Sequence, residues 1–102
     1  MNILSVIEST EGKIQKQITK YLELCGYEVI RHNAGNARYN VKGSKAGMPD
    51  LQVLIGKGMS VFIEVKTPKG KLSDIQKKKH NELESKGYRV IVARKLEDVF
   101  FF

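Results

Sequence analysis

Asp50, Glu64 and Lys66 are the residues of this chain whose types and spacing could do chemistry. In residues 61–66 (VFIEVK), a period of two puts Phe62, Glu64 and Lys66 on one face of a strand and Val61, Ile63 and Val65 on the other. The second face suits a core, whereas the first carries two charges inside an otherwise apolar strand. Burying charge is costly unless the groups are paired or bind a metal. An ion pair at a sheet edge is one solution. Asp50 points to another, because it stands at the start of the preceding apolar segment and a tight hairpin brings it to Glu64. Two like charges close together on one face call for a cation. Mg²⁺ and Mn²⁺ take carboxylate oxygens and retain waters, so Asp50, Glu64 and the Val65 carbonyl form a ligand set that a substrate phosphate would complete. A site of this kind suits phosphodiester hydrolysis, with the Lys66 ammonium orienting the attacking water or meeting the charge on the phosphate.

Two further polar residues are ambiguous from local pattern. Glu11 lies within the apolar stripe formed by Ile14, Ile18, Tyr21, Leu22 and Cys25 at helical spacing. There it either complements a helix dipole in a first turn or points into a polar cleft as a further ligand, directly or through water. Gln76 either hydrogen-bonds the attacking water or the lysine, or completes an S-x-x-Q capping box with Ser73. The two roles weigh equally.

The elements that must position these residues follow from punctuation and period. Ser9 and Thr10 are N-cap candidates for a helix running to about Cys25 and closing at Gly26. Residues 27–32 (YEVIRH) read as a strand, and residues 33–47 as a polar loop. Residues 49–55 and 59–66 read as a hairpin about Gly56-Lys57-Gly58, with Pro49 where the strand begins. A second helix starts at Ser73, ends near Lys86 and is closed by Gly87. Residues 88–93 (YRVIVA) form a last strand, and residues 96–102 a terminal turn or arm. The order α-β-β-β-α-β predicts a single α/β domain over residues 1–102, with a mixed central sheet flanked by helices.

The set as a whole resembles a known family. Glu11 with Gln15 in a leading helix, Ser44 ahead of Gly47-Met48-Pro49-Asp50, then Glu64-Val65-Lys66, then Lys71-Leu72-Ser73 with Gln76, and a strand after Gly87, resemble the VRR-NUC family of the PD-(D/E)xK nuclease superfamily. The likeness spans about residues 9 to 98 and is to the minimal stand-alone form found in phages and bacteria. It implies a restriction-endonuclease-like core and cleavage of DNA dependent on Mg²⁺ or Mn²⁺. The family's catalytic and metal-binding positions fall on Glu11, Asp50, Glu64 and Lys66, with Gln76 as a supporting polar residue. Similarity to Holliday-junction resolvases further implies a homodimer acting on four-way junctions or other branched DNA.

Composition agrees with a polyanion as partner. The chain has 102 residues, 18 Lys+Arg against 11 Asp+Glu and a formal charge of +7, which favours nucleic acid and makes binding salt-dependent. Arg38, Lys42, Ser44 and Lys45 in the loop, and Lys69 and Lys71 after the ExK strand, are the expected contacts to DNA backbone. Tyr39 is a candidate for base stacking and His32 for phosphate. His80 borders the packing face of the second helix and reads as structural. In the run 77–79 at most two lysines can face one ligand. One cysteine excludes a disulfide framework and a thiolate zinc site, pointing to a reducing, cytoplasmic setting, and the resemblance implies a bacterial or phage-infected cell. No segment is long and apolar enough to span a bilayer, and the N-terminus lacks signal-peptide features. The competing reading is a non-catalytic nucleic-acid-binding module, or a nuclease subunit that needs a targeting partner. A chain this short buries little core, so Phe100, Phe101 and Phe102 either pack back or supply a dimer contact.

Overall fold

A computed structural model of the chain describes residues 3–32 and 46–102, with side chains from residue 10 onward among them. The order is α1 (Ile3–Leu24), β1 (Glu28–Arg31), β2 (Leu51–Gly56), β3 (Met59–Val65), α2 (Asp74–Ser85), β4 (Arg89–Ala93) and a closing 3₁₀ helix, Leu96–Val99. The predicted architecture is the observed one, an α/β fold with a four-stranded mixed sheet.

Helix α1 corrects one expectation. It begins at Ile3, well before Ser9 and Thr10, so neither is an N-cap and Glu11 sits in the helix body. A carboxylate there is beyond the reach of the N-terminal dipole, which acts over the first turn. Ile14, Ile18 and Leu22 are buried at four-residue spacing as the stripe predicts. Cys25 follows the last helical residue and is exposed, so it does not extend the stripe. Both helices end the same way. Tyr27 N donates to Leu22 O and Gly26 N to Glu23 O after α1, and Tyr88 N to Leu83 O and Gly87 N to Glu84 O after α2. This is the Schellman closure, which satisfies the last carbonyls and turns the chain into the following strand.

The sheet runs in the order β1-β2-β3-β4. β1, β2 and β3 are antiparallel neighbours, and β4 returns parallel to β3 after the α2 crossover. Leu51 pairs with Ile63, Val53 with Val61, and Val65 with Ala93, placing these side chains on one face. Leu51, Val53, Ile63, Val65, Ala93 and Val99 pack there with Ile14, Ile18 and Leu22 of α1. The opposite face carries Gln52, Phe62 and Glu64, and α2 covers its Glu64 end, because His80 of α2 meets Glu64. The two helices therefore lie on opposite faces of the sheet. Across the rest of that face His32 bonds Gln52 at 2.8 Å, Gln52 donates to Ser60 at 2.9 Å, and Phe62 packs between His32 and Tyr88. His32, a phosphate candidate from its place in the sequence, is thus tied into this network. No helix among the described residues is long and apolar enough to cross a membrane.

Candidate active site

The hairpin register builds the centre of the site. Leu51 pairs with Ile63, and one step further along the antiparallel ladder Asp50 falls opposite Glu64. Like charges directly opposite one another repel, so the sequence has put two carboxylates where a sheet would ordinarily avoid them. Asp50 is held from both sides. Its Oδ2 accepts from the Val65 N–H at 2.8 Å, and its main-chain oxygen accepts from the His32 N–H at 2.9 Å. Gly47 fixes the approach to it. At φ +78°, a Cβ on this residue would lie 2.6 Å from the Ile75 carbonyl oxygen, so the Gly47–Asp50 segment passes against the first turn of α2 at a distance only glycine allows.

Glu64 is 2% exposed and Asp50 8%. Burial, a hydrogen bond to Asp50 and the Asp50 charge push the Glu64 carboxyl up to about 9, with Glu11 adding to the rise and the Lys66 ammonium opposing it. Without a cation the buried pair therefore shares a proton. Glu11 is also raised, first by burial and then by Asp50, and is lowered by Lys66. Glu11, Asp50, Glu64 and Lys66 thus form one electrostatic cluster, although they come from α1, the start of β2 and the end of β3. Of the two readings for Glu11, the first-turn dipole is removed by the start of α1 at Ile3.

Lys66 leaves β3 with its N–H bonded to Ala93 O at 3.0 Å. The following turn, residues 67–70, lies against its stem, since a Cβ on Gly70 would sit 3.5 Å from Lys66 Cδ. Arg94, at the end of β4, holds that turn. Its Nη1 donates to Thr67 O at 2.8 Å and Gly70 O at 2.6 Å, with Pro68 O at 3.4 Å. Asp98 Oδ2 in turn accepts from the main-chain N–H of Arg94 at 2.8 Å and of Lys95 at 3.2 Å. Neither Arg94 nor its grip on carbonyls is visible in sequence, because the bonded oxygens belong to the backbone.

Gln76 makes the capping box. Its Oε1 accepts from Ser73 N at 2.9 Å and its N–H donates to Ser73 Oγ at 3.1 Å. Lys69 and Lys71 are exposed in the segment after β3. Arg38, Tyr39, Lys42, Ser44 and Lys45 lie outside the described residues. Lys77 and Lys78 are exposed while Lys79 is buried and bonded to Glu82 at 2.9 Å. His80 borders the packing face as expected, yet it also meets Glu64 Oε1 through Nε2 at 3.1 Å. The available signal was helical phase, which sets His80 three residues before the buried Leu83 and so facing the sheet. Burial lowers its pKa, Lys66 lowers it further, and Glu84 and Asp50 oppose. Among the described residues no three His, Cys, Asp or Glu side chains are gathered as a ready metal cage. The donors on offer are the Asp50–Glu64 pair, main-chain oxygens and the neighbouring Glu11.

Comparisons with known proteins bear on the family and the fold. The VRR-NUC domain model matches residues 7–95. A solved structure titled "VRR_NUC domain" superposes with a TM-score of 0.67 at 26% identity, covering 88% of this chain and 89% of its own. Another, titled "VRR_NUC domain protein", superposes with a TM-score of 0.68 at 25% identity, covering 89% of this chain and 82% of its own. No curated protein matches the sequence.

Proposed function

The chain belongs to the VRR-NUC domain family, a family of nuclease type, and on that premise we propose that it is a metal-dependent deoxyribonuclease acting on branched DNA. The observation that carries the reading is the buried Asp50–Glu64 pair, set opposite by the hairpin register, with Glu64 pushed up to about 9 by burial and by Asp50. Two carboxylates, a main-chain oxygen and a neighbouring Glu11 suit Mg²⁺ or Mn²⁺, which bind through few carboxylates and complete their shell with water and substrate phosphate. Such an ion supplies an acidified water and a counter-charge for the phosphate.

The chain's own residues supply the rest. The Val65 N–H anchors Asp50 through its Oδ2. Glu64, raised in the metal-free protein, would give up its proton on holding the ion. Lys66, on the same strand face two residues on, offers a point positive charge to the attacked phosphate, and the charge is worth most in a site walled by protein. Glu11 feels the charges of both Asp50 and Lys66 and would hold the ion directly or through water. Lys69 and Lys71 continue the positive surface from the site, and Arg38, Lys42, Ser44 and Lys45 are proposed to extend it over the DNA backbone.

A homodimer places two such sites against opposite strands of a junction. Exposed Leu24, Met59, Phe100 and Phe101 support self-association through apolar surface. The test is labelled four-way junction beside linear duplex of the same sequence, with Mg²⁺, Mn²⁺ or chelator. Metal-dependent cleavage of the junction, lost in Asp50→Ala, is expected. Binding without cleavage in either metal would make the chain a binding module, and equal cleavage of linear duplex would remove the junction preference alone.

A further inference from the structure

The contact between α2 and the carboxylate pair reaches beyond the family's acidic residues and lysine. His80 and Glu64 are both buried, with side chains 8% and 2% exposed, and Nε2 lies 3.1 Å from Oε1. The helix that carries His80 is fixed at both ends, by the Ser73–Gln76 capping box and by the closure at Gly87, so the imidazole has little freedom to shift along the sheet. A leucine or methionine would fill the space beside β3 without burying polar atoms, and polar groups in such positions cost stability unless satisfied.

We propose that His80 is a positioning residue for Glu64, holding Oε1 by a hydrogen bond so that the carboxylate offers its remaining oxygen to a divalent cation in one orientation. The inference rests on the metal-binding reading of Asp50 and Glu64 given above. With Glu64 ionised by metal, His80 Nε2–H is the donor and Glu64 Oε1 the acceptor. Fixing a ligand carboxylate in this way lowers the entropy lost on metal binding, and removing such outer partners typically weakens affinity by about 10- to 100-fold.

The experiment is direct titration of the full chain with Mn²⁺, followed by the paramagnetic signal of the free ion, for wild type, His80→Gln, His80→Leu and Glu64→Gln. Thermal melts without metal are run in parallel. Gln keeps an N–H donor at similar reach whereas Leu keeps only the packing. His80→Leu is expected to bind Mn²⁺ about 10- to 100-fold more weakly while His80→Gln recovers most of the loss. Equal Mn²⁺ affinity in wild type and His80→Leu overturns the proposal, and so does a Gln variant as weak as Leu. Mn²⁺ binding absent from wild type, or indifferent to Glu64→Gln, overturns the metal reading itself and is recognised separately. Should His80→Leu fail to fold, Mg²⁺ titration of wild type labelled with ¹⁵N-histidine decides. A shift of the His80 Nε2 resonance as metal binds is expected, and a resonance unmoved at saturation counts against the role.

Discussion

Asp50 and Glu64 are unusual less for being buried than for being buried opposite one another. In the folded protein Glu64 keeps its proton to about 9, whereas an unfolded chain releases it near about 4.3. The native state therefore binds more protons between these values, and metal-free stability falls as pH rises through that window. Glu11, also raised, contributes in the same direction at lower pH. His80 has the opposite sign, since its pKa is lowered by burial. Its contribution is confined to pH below about 6.5, where the unfolded imidazole still takes up a proton. The melting temperature of metal-free protein is thus expected to fall from about pH 7 to 9. Glu64→Gln flattens that slope, and saturating Mg²⁺ reduces it by replacing the proton. An unchanged slope in Glu64→Gln would place the titrating group elsewhere. The carboxylates and the lysine were legible from alternation and spacing alone. The partner of Glu64 was not, because a histidine on a helix face reads as packing until the opposing strand is known.

The elements were mostly legible because each carries its own punctuation: a capping box and closing glycine for α2, a glycine-rich turn for the hairpin, a proline ahead of β2. The start of α1 was not, because Ser9 and Thr10 look like caps although Ile3, Leu4 and Ile7 continue the same apolar stripe backwards. Correcting that start moves Glu11 out of the first turn and removes the dipole as its explanation. The approach of the Gly47–Asp50 segment to α2 was also invisible, since the contact is to the backbone of Ile75. It separates two substitutions. Gln76→Ala breaks the capping box and is expected to cost about 1 kcal/mol in urea unfolding, with metal affinity near wild type. Gly47→Ala puts a Cβ against a carbonyl oxygen at a positive φ and is expected to cost roughly 1–3 kcal/mol. It should also weaken metal binding, because Asp50 is carried on the same short segment. Similar metal affinities in the two variants would mean that the segment does not position Asp50.

At the scale of the whole molecule, the formal +7 of this chain understates how basic its surface is. Three of its 11 acidic residues, Glu11, Asp50 and Glu64, act on one another electrostatically, so the surface away from them is more basic than the formal balance, and Lys69 and Lys71 stand exposed on it. Of the terminal phenylalanines, Phe102 packs back edge-on against Tyr27 while Phe100 and Phe101 remain about half exposed, so the expectation that the terminus packs back is met in part. In the proposed reaction the carboxylates hold metal and the lysine meets the phosphate. The most direct test is the single-turnover cleavage rate of branched DNA by Lys66→Ala at saturating Mg²⁺, beside its Mn²⁺ affinity. Loss of one preorganised charge at the phosphate predicts a rate about 100- to 1,000-fold below wild type, with metal still bound. Cleavage by Lys66→Ala at the wild-type rate, or by wild type in excess chelator, would contradict it.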